Sequence, residues 1–396
     1  MFLFPKIEKI TRDITISHFV LMFGYKLFSL YFPLFLVARG MSLPEVGCTY
    51  LLIYLPIALF APFVGFLNHK INPAILASAG ILGYGLYALG MILIQNLTLF
   101  YFWQVLLGIS ASLFFVSSRA ILTGSPLENP SRAFAWFYTA PFYADAFAPA
   151  VGALFIWKFN FFGVFIFSLL LQFFNAIFCF TQLRKQTRNL VDQGFKIKTS
   201  IENYRRVLQK IREKSAFFFV FLSFSVLLLT GFYHAFFVLF LKETLFWSRD
   251  KILLFGSLFS FLFLPISLWT IKIAGKQKSE ENISRGSLIA GIFSILFGLI
   301  STSLTFRLSI LLMLGKAMGT LMAGSGRSGF LATKLKDCPE ESAAIDTMFS
   351  PLGFAFGGLI GGLLVEQFGY SSIFIIGGFF VSMTIMLGKF LQKIKI

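Results

Sequence analysis

The sequence predicts an all-α membrane protein made of two six-helix bundles joined by a basic strap. Three observations carry that prediction. First, 57% of the 396 residues are hydrophobic and only 13% are charged, with a mean hydropathy of +0.82. An ordinary soluble domain is roughly 25% charged and could not cover its surface so thinly. Second, apolar runs recur at about the 20 residues that carry a helix across a bilayer. Third, one long polar stretch, residues 184–214, divides two apolar halves of similar length.

In chain order, the apolar runs place spans near 14–38, 46–67, 73–95, 98–121, 133–157 and 159–183, then 216–241, 252–271, 286–304, 308–331, 343–365 and 371–388. Transmembrane strands do not fit, because barrel strands alternate over only about ten residues. The first run is too long for a signal-peptide core and lacks a clear cleavage site, so it reads as a retained span. The units are residues 1–183, the strap 184–214, and 215–396.

Charge sets the expected orientation. If the N-terminus is cytoplasmic, the inner segments carry 24 of the 34 Lys and Arg, the outer segments six, and the spans four. That asymmetry puts both termini in the cytoplasm, with the chain in the cell (inner) membrane. The net charge of +17 would suggest nucleic acid in a soluble protein. Here the excess sits between apolar runs and sets topology, so no nucleic-acid partner is expected. Cys48 and Cys179 fall in spans and Cys338 in a polar loop. No C-x-x-C or metal spacing occurs, and no metal or cofactor is expected.

Ten Lys and Arg crowd the strap against Asp192, Glu202 and Glu213. Ile197, Ile201, Tyr204, Leu208 and Ile211 recur at helical spacing, and Thr199 with Glu202 forms a capping-box pattern. A short helix on the inner membrane surface is expected, tethering the halves and docking on anionic lipid.

The halves echo each other. At an offset of 210 residues, Ala133, Pro141, Gly152 and Leu154 meet Ala343, Pro351, Gly362 and Leu364. At 209, Phe159, Phe165 and Ile166 meet Phe368, Phe374 and Ile375; at 208, Arg119 meets Arg327. A repeat in one orientation gives bundles related by an axis along the membrane normal.

With six plus six spans and a basic central loop, the chain resembles the major facilitator superfamily over essentially its whole length. Its short motifs are present in eroded form. After span 2 the chain reads Gly65-Phe66-Leu67-Asn68-His69-Lys70, with Asn68 where the family has an acid. In span 4, Gln104 stands four residues before Gly108, where the family often has Arg. Ala148-Pro149-Ala150-Val151-Gly152-Ala153 is similar to the span-5 motif of the antiporter branch. Gly40 to Glu45 looks like the family's first outer loop, and Ser42 with Glu45 is also a capping box. The resemblance implies a monomeric secondary transporter moving a small solute by alternating access, driven by protons or another coupling ion. It makes Gly65, Asn68, Lys70, Pro149 and Gly152 candidates for gating. The span-5 motif points to proton-coupled export of a hydrophobic or anionic compound. Import of a nutrient or organic anion is the alternative, and a non-transporting sensor on the same fold is the rival class.

Ionisable groups inside a bilayer are costly, so each needs a reason. Lys26 and Asp145 lie midway in spans 1 and 5 and are expected to pair, with protonation of Asp145 freeing Lys26. Lys316 and Arg327 are 11 residues apart in span 10, close to three helical turns and so on one face. The resemblance puts spans 1, 4, 7 and 10 around the cavity, which makes Lys316 a substrate candidate. Arg119 and Arg327 lie nearer the inner surface, where Asp346 could pair with them. His234 in span 7 could titrate. Four in-span bases against two in-span acids favour an anionic solute. Gly353, Gly357 and Gly361, and Ala144, Ala148 and Gly152, form small-residue stripes expected to make tight helix contacts, which the resemblance would place across the two-bundle seam. Pro33, Pro56, Pro141, Pro149 and Pro351 are expected to bend their helices. The chain has only His18, His69 and His234, and no paired nucleophile and base, so no enzyme is expected.

Overall fold

The computed structural model describes residues 5–29, 43–94, 96–187 and 197–393. Pro33, Ser42 and strap residues 188–196 lie outside that description, as do the side chains of Glu45 and Cys48 and the surroundings of Gly362. Among the described residues there are helices and no strand.

The first half contains α1 (Lys9–Ser29), α2 (Leu43–Lys70), α3 (Pro73–Leu93), α4 (Leu97–Gly124) and the long α5 (Pro130–Phe178). The strap helix is α6 (Ile197–Arg212). The second half contains α7 (Lys214–Glu243), α8 (Arg249–Ala274), α9 (Ser279–Leu299), α10 (Phe306–Lys334), α11 (Pro339–Phe368) and α12 (Tyr370–Lys393). Helix starts follow local chemistry. The side chains of Asn72, Asn96, Asn129, Ser248 and Thr305 each accept a backbone N–H from the first turn of the helix that follows. Pro73 and Pro130 sit in that first turn, where no N–H is missed.

The expected gap between spans 5 and 6 is a break inside α5. Asn160 adopts φ 56° and ψ −172°, a left-handed backbone that asparagine tolerates better than most residues. Nine described helices are long and apolar enough to cross a bilayer. One is the 57-residue run Pro130–Gln186, and Tyr370–Met386 is a shorter apolar helix.

Each half has its own core. Phe28, Tyr87, Phe114, Phe137 and Phe165 anchor the first; Phe240, Phe263, Phe297 and Phe374 anchor the second. Within the halves α1 packs on α5 and α7 on α11; across the seam α2 packs on α11 and α5 on α8. These pairs are the equivalents expected of a repeated unit.

Two expectations are corrected. The small-residue stripes do not face the seam. A side chain at Gly152 would run into the Leu27 backbone, and Gly353, Gly357 and Gly361 abut Leu227, Gly231 and Phe236 of α7. Both stripes bring helices together inside a half, and other small residues, Ala61, Gly65 and Ala120 against Ala343 and Ala344, pack across the seam. In the strap, the helix already runs at Ile197, so Thr199 lies inside it and caps nothing there.

Candidate functional site

The ionisable residues inside the bundles gather into two groups. The first lies at mid-depth. Lys26 on α1 reaches Asp145 on α5, Nζ to Oδ2 2.5 Å, with 18% and 34% of the two side chains exposed. Lys316 on α10 is only 6% exposed, and its ammonium lies over the Tyr233 ring of α7, 4.3 Å from the centroid. That contact offers part of what lost water would have given. Among the described residues no acid forms an ion pair with Lys316. His234, one residue beyond Tyr233, stacks on Phe354 of α11 with ring centroids 5.2 Å apart. Its Nε2 meets the Tyr54 hydroxyl of α2 at 3.4 Å. α7 and α10 thus meet at Tyr233 and Lys316, and α1 and α5 at Lys26 and Asp145.

The second group sits nearer the end that carries the strap. Asp346 on α11 is the hub. Arg327 Nε donates to its Oδ1 at 2.7 Å, and Arg119 Nε pairs with Oδ2 at 3.1 Å. Ser328 and Tyr138 donate to Oδ2 at 2.6 and 3.2 Å. Arg119 also donates to Thr347 at 2.7 Å. All four charged and hydroxyl partners are buried or nearly so, and α4, α5, α10 and α11 meet here across the seam. Asp346, Arg119 and Arg327 therefore tie the halves to each other.

A third cluster, which sequence reading missed, closes the same end. His69, at the end of α2, faces two carboxylates at the start of α11. Its Nε2 is 2.8 Å from Glu341 Oε1 and its Nδ1 3.7 Å from Glu340 Oε2. The three side chains are buried and their ligand-type atoms lie within 4.8 Å of one another. The ring nitrogens address different carboxylates, so the cluster joins the end of α2 to the start of α11 across the seam. The signal was faint, because His69 and Glu341 are 272 residues apart and both read as loop.

The gating candidates fall out unevenly. Gly65 packs against Ala344 and Tyr204, where a side chain would collide. Asn68 is buried and its amide makes no hydrogen bond among the described residues. Lys70 is exposed over the Phe66 ring. Pro149 is buried inside α5 and Gly152 serves the α1 contact. Gln104 is buried and accepts from Tyr87 at 3.2 Å. At the equivalent corner of the seam the contacts are neutral: Asn129 donates to the Gly275 carbonyl at 3.0 Å and Ser131 meets Ser279 at 2.8 Å.

The Major Facilitator Superfamily model matches residues 14–345, and the chain belongs to that family. It is a multi-pass membrane protein and a secondary transporter of a solute, not an enzyme. Solved structures share the fold. The human organic anion transporter MFSD10 (TETRAN) superposes with a TM-score of 0.76 at 14% identity, over 96% of this chain and 98% of that one. A bacterial homologue of the iron transporter ferroportin, in an outward-facing state, gives 0.70 at 14% identity, over 96% and 100%. FucP, a Major Facilitator Superfamily transporter in the outward conformation, gives 0.75 at 12%, over 96% and 98%. No curated protein matches the sequence.

Proposed function

We propose that this chain moves a small organic anion across the cell membrane by proton-coupled alternating access, in the export direction, with Lys316 as the principal anion contact. The observation that carries the reading is Lys316 itself: a cation buried at mid-depth, braced by Tyr233, with no acid paired to it among the described residues. A buried charge without a partner is costly, and an anionic solute would supply the partner. Lys26 and Asp145 supply the coupling element. Protonation of Asp145 would release Lys26 to the solute, and reformation of the pair would expel it. That MFSD10 is an organic anion transporter agrees with the anion reading. The export direction rests on the span-5 motif alone.

The remaining features fit this reading. Twelve crossings result if the Pro130–Gln186 run crosses twice and α1 and Tyr370–Met386 cross once each. The strap side is cytoplasmic, on the Lys and Arg asymmetry, and a monomer carries both halves of the pathway. Residues 1–183 and 215–396 are then the two rocking units, with 184–214 as their tether.

The test is transport into and out of proteoliposomes under an imposed pH gradient. Labelled benzoate and succinate would be compared with neutral and cationic analogues of similar size. Concentrative, pH-dependent movement of an anion is expected. Equal movement of the neutral analogues, or no counterflow with any of them, overturns the reading.

A further inference from the structure

The strap helix lies against the protein by a mixed face of polar and apolar residues. Ser200, Asn203 and Val207 are its buried residues. Ser200 and Asn203 each donate to Glu341 Oε1 at 3.3 Å, the oxygen that faces His69. Tyr204 donates to the Pro62 carbonyl of α2 at 2.7 Å, and Lys210 pairs with Asp337 at 3.0 Å. One short helix thus grips the first half at Pro62 and the second at Glu341 and Asp337, directly over the His69 cluster.

Of the five-residue apolar stripe, Tyr204 and Ile211 are half-buried against the protein and the other three are left outside. Ile197, Ile201 and Leu208 are 63%, 64% and 51% exposed. They are four and seven residues apart, so they share one flank. Alongside runs a second line, Lys198, Arg205 and Arg212, again at seven-residue spacing and all exposed. An apolar row beside a basic row is what a helix lying in a charged interface presents: one sinks to the acyl boundary, the other meets phosphates. A protein partner would need matching acids and an apolar socket, whereas an anionic membrane offers both chemistries at once. The helix also sits beside the ends of α2 and α11, at the depth where a leaflet surface would lie.

We propose that this flank of α6 docks on anionic phospholipid headgroups and that docking holds the strap-side gate shut. The opposite face can keep its grip on Glu341 and Pro62 only while the helix stays in place, so lipid charge sets the balance between closed and open. The proposal rests on the transporter reading only in treating the seam as a gate. It does not depend on which solute is carried.

The test uses the full chain with its three cysteines replaced by serine and spin labels at Lys70→Cys and Lys336→Cys, exposed positions on either side of the gate. Distances are measured by double electron–electron resonance in nanodiscs of phosphatidylcholine with and without phosphatidylglycerol. Anionic lipid should raise the closed-to-open ratio by at least about fivefold. The triple variant Lys198→Gln, Arg205→Gln, Arg212→Gln should lose that response, and so should Ile201→Ser with Leu208→Ser. Both variants should match the parent in pure phosphatidylcholine, which also shows that they fold. A parent that ignores lipid charge, or variants that keep the full response, overturn the proposal. A ratio that follows the number of chains per disc instead assigns the flank to a second copy and also overturns it. Because the readout is distance, failure of the anion reading leaves this result standing.

Discussion

The two groups of buried charge differ in what surrounds them. Asp346 near the strap end is saturated: two arginines, a serine and a tyrosine reach its two oxygens. Lys316 at mid-depth has an aromatic ring and, among the described residues, no acid in an ion pair with it. A charge that the protein satisfies fully holds parts together, while one left short of partners is poised for something that comes and goes. Inverse responses to substitution follow, stability at one site and transport at the other.

The largest effect is expected at the saturated site. Asp346→Ala would strand Arg119 and Arg327 together, and losing one partner of a buried pair costs about 3–5 kcal/mol. Thermal unfolding in detergent should show a marked loss of stability, and a melting point equal to the parent's would break the comparison. Next comes Lys316→Met, for which the pattern reverses. Stability should hold or rise, because an unpaired buried ammonium is removed. The half-saturating anion concentration should rise about 30-fold, as for a lost contact worth about 2 kcal/mol. An unchanged concentration dependence in proteoliposomes would remove Lys316 from the site.

A neighbouring pair sharpens the corrected packing. Gly357→Ala would press a methyl into Gly231 of α7, whereas the position of a Cβ at Gly358 has nothing within 4 Å. Overpacking costs about 1–3 kcal/mol, so Gly357→Ala should unfold earlier than Gly358→Ala. Equal melting points would mean that α7 and α11 do not approach so closely.

The smallest effect belongs to the exposed tie between Lys210 and Asp337. The Lys210 hydrogen bond, then its charge, holds the Asp337 carboxyl below its usual range. A folded-state value below the unfolded one makes the contribution complete above the unfolded value. It is lost as pH falls through the lowered one. Protease nicking of the strap should therefore increase only below about pH 4, and Asp337→Asn should show that increased nicking already at neutral pH. Equal nicking of parent and variant at neutral pH would show the tie to be idle.

Much of the architecture was legible because bilayer thickness fixes run length and because duplication leaves a register. The Lys26–Asp145 pair was legible too, since two opposite charges at one depth have few other partners. The facing of the small-residue stripes was not. Periodicity shows that a helix has a smooth side but not which neighbour takes it, and here the choice fell on α1 and α7. The strap shows the same limit. Its amphipathic pattern was plain, yet the buried side takes Ser200 and Asn203 beside Val207, because Glu341 offers Ser200 and Asn203 hydrogen bonds that no local pattern announces. The His69 cluster was hidden by distance along the chain.

Duplication gave each half an arginine at the same station, Arg119 and Arg327, but counting 210 residues back from Asp346 reaches the uncharged Trp136. The acid and Arg327 ride on the same half, so they stay married when the bundles part. Arg119 rides on the other with Tyr138, whose hydroxyl and ring stay beside it, so a parting of the bundles would leave it with a phenol in place of its carboxylate.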